Sequence, residues 1–474
     1  MKVIIMGLGL YEKGSGISAA KFFIEKGDEV LITDLKERKE LLRQIKELEK
    51  FCKNHNKKMP ILHLGGHKED DFKSVDIVMR NPGVPKDSLF LKIARKAGAQ
   101  IETDVTIFMK NCHAMVIGVT GTRGKSTTAS LIYEILKKSP LTPLCKRGEK
   151  GGIWLGGNIK ISPLSFIEKV KPSDIVVLEF SSWMLENFSE YKIAPHIAVI
   201  TNIYPDHLNT YKNMAEYISA KKNIFQYQKA GDYLVLNGEN RETKKWKGYG
   251  KTIYFYKENI KKFYKLPIKL QGEHNLENIS AAYAVVKIMK VPVAKIEKVL
   301  KKFNGLSDRQ EIIAQNKGIT FVNDTTATTP DGTIAALRRF GANQEIKKTR
   351  KQKNKKTRKQ ESKKIILICG GSDKGLDYKQ FAKEAKKYCK AVIFFPGTAT
   401  EKINYKLSII NYQLIIMAKD MNSAVKKARQ QAIRGDIILL SPAAASFGLF
   451  KNEFDRGEEF KKVVTQVTQK EQHR

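Results

Sequence analysis

The stretch Gly118-Val-Thr-Gly-Thr-Arg-Gly-Lys-Ser-Thr127 indicates how the middle of this chain folds and what it binds. It is of the phosphate-binding type G-x-x-x-x-G-K-[ST], with one extra residue after the first glycine. The apolar run 114–119 before it predicts a buried strand, and residues 127–136 after it predict a helix. We therefore expect ATP or GTP binding, with Lys125 at the β- and γ-phosphates and Ser126 at Mg²⁺. A glycine-rich turn without a ligand is the alternative.

Length and composition limit the class of protein. At 474 residues the chain is long enough for two to four domains, and its hydrophobic share of 42% suffices for packed cores. No apolar run approaches the roughly 18 residues of a membrane span, and residues 1–7 predict a first strand and not a signal peptide. The five scattered cysteines lack C-x-x-C spacing, which favours a reducing, cytoplasmic location.

The net charge of +37 raises the question of nucleic-acid binding. Much of the excess lies in residues 347–364, a basic run with almost nothing apolar, which predicts a solvated surface insertion. No zinc-finger, helix-turn-helix or RNP-like pattern accompanies it. We expect generic contact with polyanions at most, and no specific nucleic-acid partner.

Strands alternate with helices in three segments, which predicts parallel α/β sheets. We place the domains at 1–111, 112–305 and 306–474. The first domain opens with strand 3–6 and the turn Gly7-Leu-Gly9, where the third glycine of a dinucleotide fingerprint would fall on Glu12. An ordinary NAD site is therefore not expected. Asp34, at the tip of strand 30–34, is a candidate for binding a nucleotide sugar or base, and helix capping is its alternative.

Polar side chains end two predicted strands of the middle domain. Strand 174–180 contains Glu179 near its end, and strand 196–201 leads into Pro205-Asp-His207. Ligands gather at the carboxyl ends of strands in open α/β sheets, so we expect Glu179 and His207 near the phosphate loop and its Mg²⁺. For His207, a role in the turn alone is the alternative.

Taken together, the motifs resemble the Mur ligase family, the ATP-dependent amide ligases of peptidoglycan precursor synthesis. The resemblance covers essentially the whole chain and is carried by segments that occur in the family's order: GVTGTRGKSTT (118–128), EFSSWMLE (179–186), TNIYPDHLNTY (201–211), GEHNLENISAA (272–282), FNGLSDRQE (303–311), NDTTATTPDGTIAAL (323–337), GGSDKGLDY (370–378) and LSPAAASFGLFKNEFDRGEEF (440–460).

The resemblance implies three domains: a Rossmann-like UDP-binding domain, a central P-loop ATPase-type domain and a C-terminal Rossmann-like domain. The opening GLGL (7–10) and the sixth, seventh and eighth of these segments are most similar to the branch that adds glutamate. It implies that ATP activates the carboxylate of UDP-N-acetylmuramoyl-L-alanine as an acyl phosphate, which the amine of D-glutamate then attacks. The enzyme is expected to work as a monomer with two Mg²⁺ ions.

The resemblance also implies roles for individual residues. Those with catalytic roles would be Lys125, His207, Lys221 and Lys374, with Lys221 carbamylated and Lys222 as the alternative lysine. ATP would be bound by Gly121, Thr122, Arg123, Gly124, Lys125, Ser126, Thr127, Asn275, Asn278, Arg309 and Asp324. The UDP-sugar would be bound by Gly9, Asp34, Asn81, Asn158 and Ser182, and glutamate by Thr328, Lys374 and Ser446. Metal ligands would be Ser126, Glu179, His207 and Lys221.

Two departures from the family's pattern leave alternatives open. The turn 9–16 is longer than the family's G-L-G-x-T-G, and Thr326 stands where the pattern N-D-S-K-A-T has lysine. Ligation with L-glutamate is therefore an alternative, as is another Mur-type or folate-type ligase. A P-loop NTPase switch and a nucleic-acid-binding protein are the remaining classes.

Overall fold

The structure, a computed structural model, describes residues 1–9, 11–139, 151–207, 210–268, 270, 272–349, 364–446 and 448–472. Contacts divide the chain into two compact units. The first comprises Met1–Ile203, Ala215–Tyr264 and Glu277–Val299, and the second Tyr204–Met214, Lys265–Leu276 and Leu300–Arg474. In the part of the chain described, no helix is both long and apolar enough to cross a membrane.

The first sheet belongs to the first unit and has the strand order β3-β2-β1-β4-β5, with every pair parallel. Its strands are β1 (Lys2–Met6), β2 (Glu29–Asp34), β3 (Ile61–Leu64), β4 (Ile77–Arg80) and β5 (Gln100–Glu102). Its helices are α1 (Ser15–Glu25), α2 (Leu42–Asn54), α3 (Leu89–Lys96) and α4 (Asp104–Asn111). The predicted βαβ pattern is confirmed, and the strand order reverses at β1, where ligands of such sheets bind.

The second sheet also lies in the first unit, with the order β11-β10-β9-β6-β8-β7 and parallel pairing throughout. Its strands are β6 (Met115–Thr120), β7 (Ile153–Gly157), β8 (Ile175–Glu179), β9 (Ile197–Ile200), β10 (Tyr233–Asn237) and β11 (Lys251–Phe255). The helices of this region are α5 (Lys125–Lys137), α6 (Ser182–Leu185), α7 (Phe188–Tyr191), α8 (Met214–Gln226), α9 (Glu273–Ile288) and α10 (Val293–Lys302). β6, β8 and β9 are almost wholly buried, as their continuous apolar runs predict.

The third sheet lies in the second unit, in the order β12-β13-β17-β14-β15-β16, and is parallel except for the edge pair β12–β13. Its strands are β12 (Glu311–Asn316), β13 (Ile319–Asn323), β14 (Ile365–Cys369), β15 (Cys389–Phe394), β16 (Ile415–Met417) and β17 (Ile437–Leu440). Its helices are α11 (Pro330–Thr349), α12 (Lys379–Tyr388), α13 (Thr398–Ile409), α14 (Met421–Gln431) and α15 (Glu453–Gln472).

Residues of β14 alternate between two apolar cores. Ile365 and Leu367 pack into one core, and Ile366 and Ile368 into the other. Because successive side chains of a strand point to opposite faces, this sheet is covered by helices on both sides. The α/β fold class is therefore confirmed, whereas the boundaries at 111/112 and 305/306 stay predictions. Of the basic insertion 347–364, residues 350–363 lie outside the described residues.

Candidate functional site

Two glycines shape the turn between β6 and α5. Gly121 and Gly124 have φ angles of 144° and 79°, which disfavour any residue with a side chain. A Cβ at Gly121 would lie 2.0 Å from Thr201 Oγ1, and one at Gly124 would lie 2.0 Å from Asn278 Oδ1. Helix α5 then begins at Lys125, two residues earlier than predicted, because Gly124 serves as its N-cap. The turn thus has the strand–loop–helix form of a phosphate-binding loop.

Asn202, two residues after the end of β9, holds this loop in place. Its backbone oxygen accepts from Thr122 N at 2.9 Å, and its side-chain Oδ1 accepts from Arg123 N at 2.9 Å. Lys125 Nζ donates to Thr122 O at 3.0 Å. Sequence reasoning gave Asn202 no role, although a polar residue immediately after an apolar strand beside the loop was a usable signal.

Glu179 ends β8, next to β6, with Val119 as its neighbour in register. The carboxylate is 1% exposed, and its Oε1 accepts from Asn158 Nδ2 at 2.9 Å. Its Oε2 is buried with no hydrogen-bond partner among the described residues. Burying a carboxylate oxygen without a hydrogen bond lowers the stability of the fold unless a cation or a hydrogen-bond donor binds it. Ser126 and Thr127, in the first turn of α5, are also buried.

Lys221 lies in α8 and is 2% exposed. Its Nζ donates to Thr120 Oγ1, at the end of β6, over 3.3 Å, and lies 5.0 Å from the centre of the Tyr217 ring. The Tyr217 hydroxyl is in turn 3.1 Å from Thr122 Oγ1. Lys222 is only half-buried and lies over the Trp246 ring. Of the two lysines, Lys221 is thus the one buried beside the phosphate loop.

The carboxyl edge of the first sheet gathers three of the residues predicted for the UDP-sugar. Asp34 accepts from Leu8 N at 2.8 Å and from Lys36 N at 2.9 Å, so it braces the glycine turn and does not cap a helix. Asn81 Nδ2 donates to Gly7 O at 3.3 Å, and a Cβ on Gly9 would lie 3.4 Å from the same nitrogen. Asn158 contacts Glu179, as described above, and Ser182 is buried at the start of α6.

Gly16 takes the packing position that the dinucleotide fingerprint gives to its third glycine. A Cβ there would lie 2.3 Å from Gly7 O and 2.4 Å from Leu8 O, because α1 packs closely against the turn after β1. The longer turn therefore keeps the helix–strand contact that makes this glycine necessary. The sequence analysis did not identify this role of Gly16, because the spacing of the fingerprint places its third glycine at position 12.

In the second unit, Lys374 lies between two oxygen-bearing side chains. Its Nζ donates to Thr328 Oγ1 at 3.1 Å and lies 3.8 Å from Asp206 Oδ1. Asp206 also accepts from His207 N at 2.9 Å, and His207 has a φ of 57°. Two residues predicted for glutamate are thus brought together, with Asp206 as a partner that the sequence did not assign. Ser446 is buried in the segment after β17.

Asp324 is buried directly after β13. Ser441 Oγ donates to its Oδ2 at 2.7 Å, and Gln310 N donates to its Oδ1 at 3.1 Å. Burial raises the pKa of Asp324 to about 7, although the hydrogen bonds and the charges of Arg309 and Arg339 oppose the rise. Arg309 is therefore close enough for its charge to act on the Asp324 carboxyl group. Asn275, in the same unit, is buried in the first turn of α9.

The predicted residues are divided between the two units. The first unit contains the phosphate loop, Glu179, Lys221 and Asn278, and the second contains His207, Asn275, Lys374 and Asp324. Among the residues that the structure describes, no three His, Cys, Asp or Glu side chains form a group that could hold a metal ion.

Three family models match the chain: "Mur ligase MurD-like, N-terminal domain" over residues 1–103, "Mur ligase middle domain" over 119–286 and "Mur ligase, glutamate ligase domain" over 308–444. The chain is 34% identical to a UDP-N-acetylmuramoylalanine–D-glutamate ligase from Roseiflexus sp. (strain RS-1), covering 98% of this chain and 99% of that protein. A protein of the same name from Borreliella afzelii (strain PKo) is 33% identical, with 98% and 97% covered.

Solved structures are similar in fold. UDP-N-acetylmuramate-alanine ligase MurC from Thermotoga maritima aligns with a TM-score of 0.59 at 20% identity, covering 98% of this chain and all of that one. A pseudomurein peptide ligase type C from Methanothermus fervidus aligns with a TM-score of 0.55 at 19% identity, covering 98% and 99%. At these identities the likeness concerns the three-domain α/β architecture alone.

Proposed function

This chain belongs to the Mur ligase family, and on that basis we propose that it couples D-glutamate to UDP-N-acetylmuramoyl-L-alanine at the expense of ATP. Relatives named for that reaction are similar over almost the whole chain, which supports this branch over the others. Because both substrates are small and water-soluble, we also infer a cytoplasmic location, and we propose a monomer with no specific nucleic-acid partner.

ATP would bind at the turn between β6 and α5. Backbone N–H groups at the start of α5 suit a polyphosphate, and Lys125 places a cation beside them. The N–H groups of Thr122 and Arg123 donate to Asn202, so Gly121, Thr122 and Arg123 would contribute by shaping the loop around the phosphates. Asn278, against Gly124, and Asn275 are proposed for the adenine side, and Arg309 and Asp324 are proposed as further ATP-binding residues. The buried loop–helix junction supports this assignment.

The residues at this junction fit Mg²⁺. Glu179 offers a buried oxygen that has no hydrogen-bond partner in the described part of the chain, and Ser126 offers a buried hydroxyl. Both are hard oxygen donors of the kind this ion prefers. Lys221 would join as a carbamate, which turns a buried ammonium into an anionic oxygen ligand, and His207 would complete the second site. When bound, two Mg²⁺ ions would neutralise charge on the phosphates.

The substrates would occupy the strand ends of the other two sheets. Gly9, Asp34 and Asn81, with Asn158 and Ser182, would bind the UDP-sugar. Lys374, Thr328 and Ser446 would bind glutamate, since an ammonium with two hydroxyls suits an amino acid that has two carboxylates. Asp206 would hold Lys374 in place before glutamate arrives.

In the reaction, an oxygen of the L-alanyl carboxylate attacks the γ-phosphorus of ATP, and the bond to the β-γ bridging oxygen breaks to release ADP. The glutamate amine, once deprotonated, attacks the carbonyl carbon of the acyl phosphate, and phosphate leaves as the amide forms. The contribution of the protein is mainly positioning and charge neutralisation, by Lys125 at the transferred phosphoryl group and by Lys374 at glutamate.

The observation that carries the proposal is the glycine loop next to buried Glu179, one of whose carboxylate oxygens has no hydrogen-bond partner among the described residues. The chain is also similar to D-glutamate ligases over almost its whole length. Phosphate release from ATP is to be measured with UDP-N-acetylmuramoyl-L-alanine and, in turn, D-glutamate, L-glutamate, diaminopimelate and lysine. We expect release only with D-glutamate. Release that needs no amino acid would contradict a ligase and indicate an NTPase switch.

L-glutamate is the second candidate acceptor, because Thr326 replaces the lysine of the family's pattern. Thr326 Oγ1 donates to Asp308 O at 3.0 Å, so its side chain serves the fold and supplies no charge to a bound amino acid. Activity with L-glutamate alone would favour this candidate.

A further inference from the structure

Asp104 is a buried carboxyl group that no step of the proposed reaction uses. It is the first residue of α4 and is 0% exposed. Burial raises its pKa above the ordinary value, while the hydroxyls of Ser162 and Ser15 oppose that rise. Its Oδ1 is buried without a hydrogen-bond partner among the described residues. A carboxyl group that is this costly to bury calls for an explanation.

The other oxygen of Asp104 joins two distant segments. Oδ2 accepts from Ser162 Oγ at 2.6 Å and from Ser15 Oγ at 2.8 Å. The two segments are also bonded directly, since Ser162 N donates to Lys13 O at 2.7 Å. Residues 13–15 at the end of the long glycine turn are thereby fixed to the segment that follows β7.

The segment after β7 leads directly to Glu179. Gly157 N donates to Ile161 O at 2.7 Å, which closes a tight turn between Asn158 and Ser162. Asn158 bonds Glu179 through both its backbone and its side chain, each at 2.9 Å. Hydrogen bonds and the short backbone segment 157–162 therefore connect residues 13–15 to the carboxylate proposed for Mg²⁺.

We propose that Asp104 is a positioning residue for the nucleotide-sugar substrate. By accepting hydrogen bonds from both hydroxyls, it holds residues 13–15 of the lengthened turn against residues 158–162, and so sets their position relative to Glu179. The longer turn needs such a tether because added residues increase the conformations open to a loop. The inference rests on the proposed function for the identity of the substrate, but the tether itself does not.

The test compares full-length variants. Asp104→Ala removes the acceptor, Asp104→Asn keeps one acceptor oxygen, and Ser15→Ala releases the turn while leaving the buried carboxyl group in place. Tyr191→Phe is the matched control, since it removes another bond of the same region, from Tyr191 to Ile101 O at 2.8 Å, without touching the turn. KM for UDP-N-acetylmuramoyl-L-alanine and for ATP, kcat, and amide hydrogen exchange of residues 9–16 are measured for each.

We expect Asp104→Ala and Ser15→Ala to raise KM for the nucleotide sugar about tenfold and to speed exchange in 9–16, with KM for ATP nearly unchanged. In Asp104→Asn, which keeps one acceptor oxygen, KM for the nucleotide sugar and exchange in 9–16 should stay close to the wild-type values. Tyr191→Phe should change neither quantity. Equal changes in both KM values, or exchange in 9–16 no faster than in Tyr191→Phe, would overturn the proposal. A wild-type chain without glutamate-dependent activity would refute the proposed function, while the exchange data would still test the tether.

Discussion

Lys125 is the residue on which the proposed phosphoryl transfer depends most. The change Lys125→Ala should lower kcat by about 10²- to 10³-fold, because it removes the cation that we propose at the transferred phosphoryl group. Its hydrogen bond to Thr122 O, a contact within the loop, contributes little to the stability of the fold. The measurement is phosphate release under saturating substrates, with circular dichroism to verify folding.

The matched control for that change is Lys137→Ala, at the exposed last turn of the same helix α5. It removes the same charge and the same side chain far from the loop, so kcat should stay within about twofold. If Lys125→Ala turned over as fast as this control, the assignment of the phosphate loop would be wrong.

Asp324 gives a second residue-scale prediction, of pH dependence. Its native pKa of about 7 lies above the roughly 3.9 of an unfolded aspartate, so between these values the native state holds the extra proton. Stability contributed by this group should therefore fall as pH rises from about 4 to 7. Relative to Asp324→Asn, which cannot titrate, the wild type should lose roughly 2 kcal/mol of unfolding free energy between pH 5 and 7.

Urea unfolding of both chains at pH 5, 6, 7 and 8 measures this difference. Because other titrating groups are common to the two chains, they cancel in the comparison. A difference that stayed constant, or one in which the wild type gained stability with rising pH, would mean that Asp324 is ionised throughout.

At the scale of elements, the contact between α1 and the turn after β1 depends on Gly16. The change Gly16→Ala places a methyl group 2.3 Å from Gly7 O, and backbone cannot yield as a flexible side chain can. We expect a loss of about 2–3 kcal/mol in unfolding free energy, together with a higher KM for the nucleotide sugar. Gly231→Ala, where a Cβ meets nothing within 4 Å, should change neither. Equal behaviour of the two variants would contradict the close packing.

The elements themselves follow from local sequence, whereas several of their connections do not. The apolar run 174–180 became β8, and the run 114–119 became β6, because fully buried parallel strands are continuously apolar. By contrast, Ser15 and Ser162 lie 89 and 58 residues from Asp104. Nothing in the local sequence pairs them, since their meeting depends on how two sheets pack.

At the scale of the whole molecule, some residues of the candidate site could be predicted from the sequence and others could not. The glycines of the phosphate loop predict it from the sequence, and the resemblance to the family predicts Lys374 and Thr328. The structure places Lys374 and Thr328 within hydrogen-bonding distance of each other. The roles of Asn202 and Asp206 were not foreseen, although both lie in a motif that was recognised. A motif identifies a segment, but only the fold decides which of its polar groups point to the loop and which support a neighbour.

The whole-molecule charge leads to the last prediction, which concerns residues 347–362. Deleting them removes nine basic residues and one acidic residue but almost no apolar side chain, so little core packing is lost. We expect kcat and both KM values to stay within about twofold, because such insertions are generally tolerated at surfaces. Retention on a polyanion column should weaken and become less dependent on salt.

A variant in which the same residues are replaced by a Gly/Ser linker of equal length separates the effect of charge from the effect of chain length. A large loss of activity in both variants, with circular dichroism unchanged, would assign the basic run a part in catalysis that neither its composition nor the family's motifs predict.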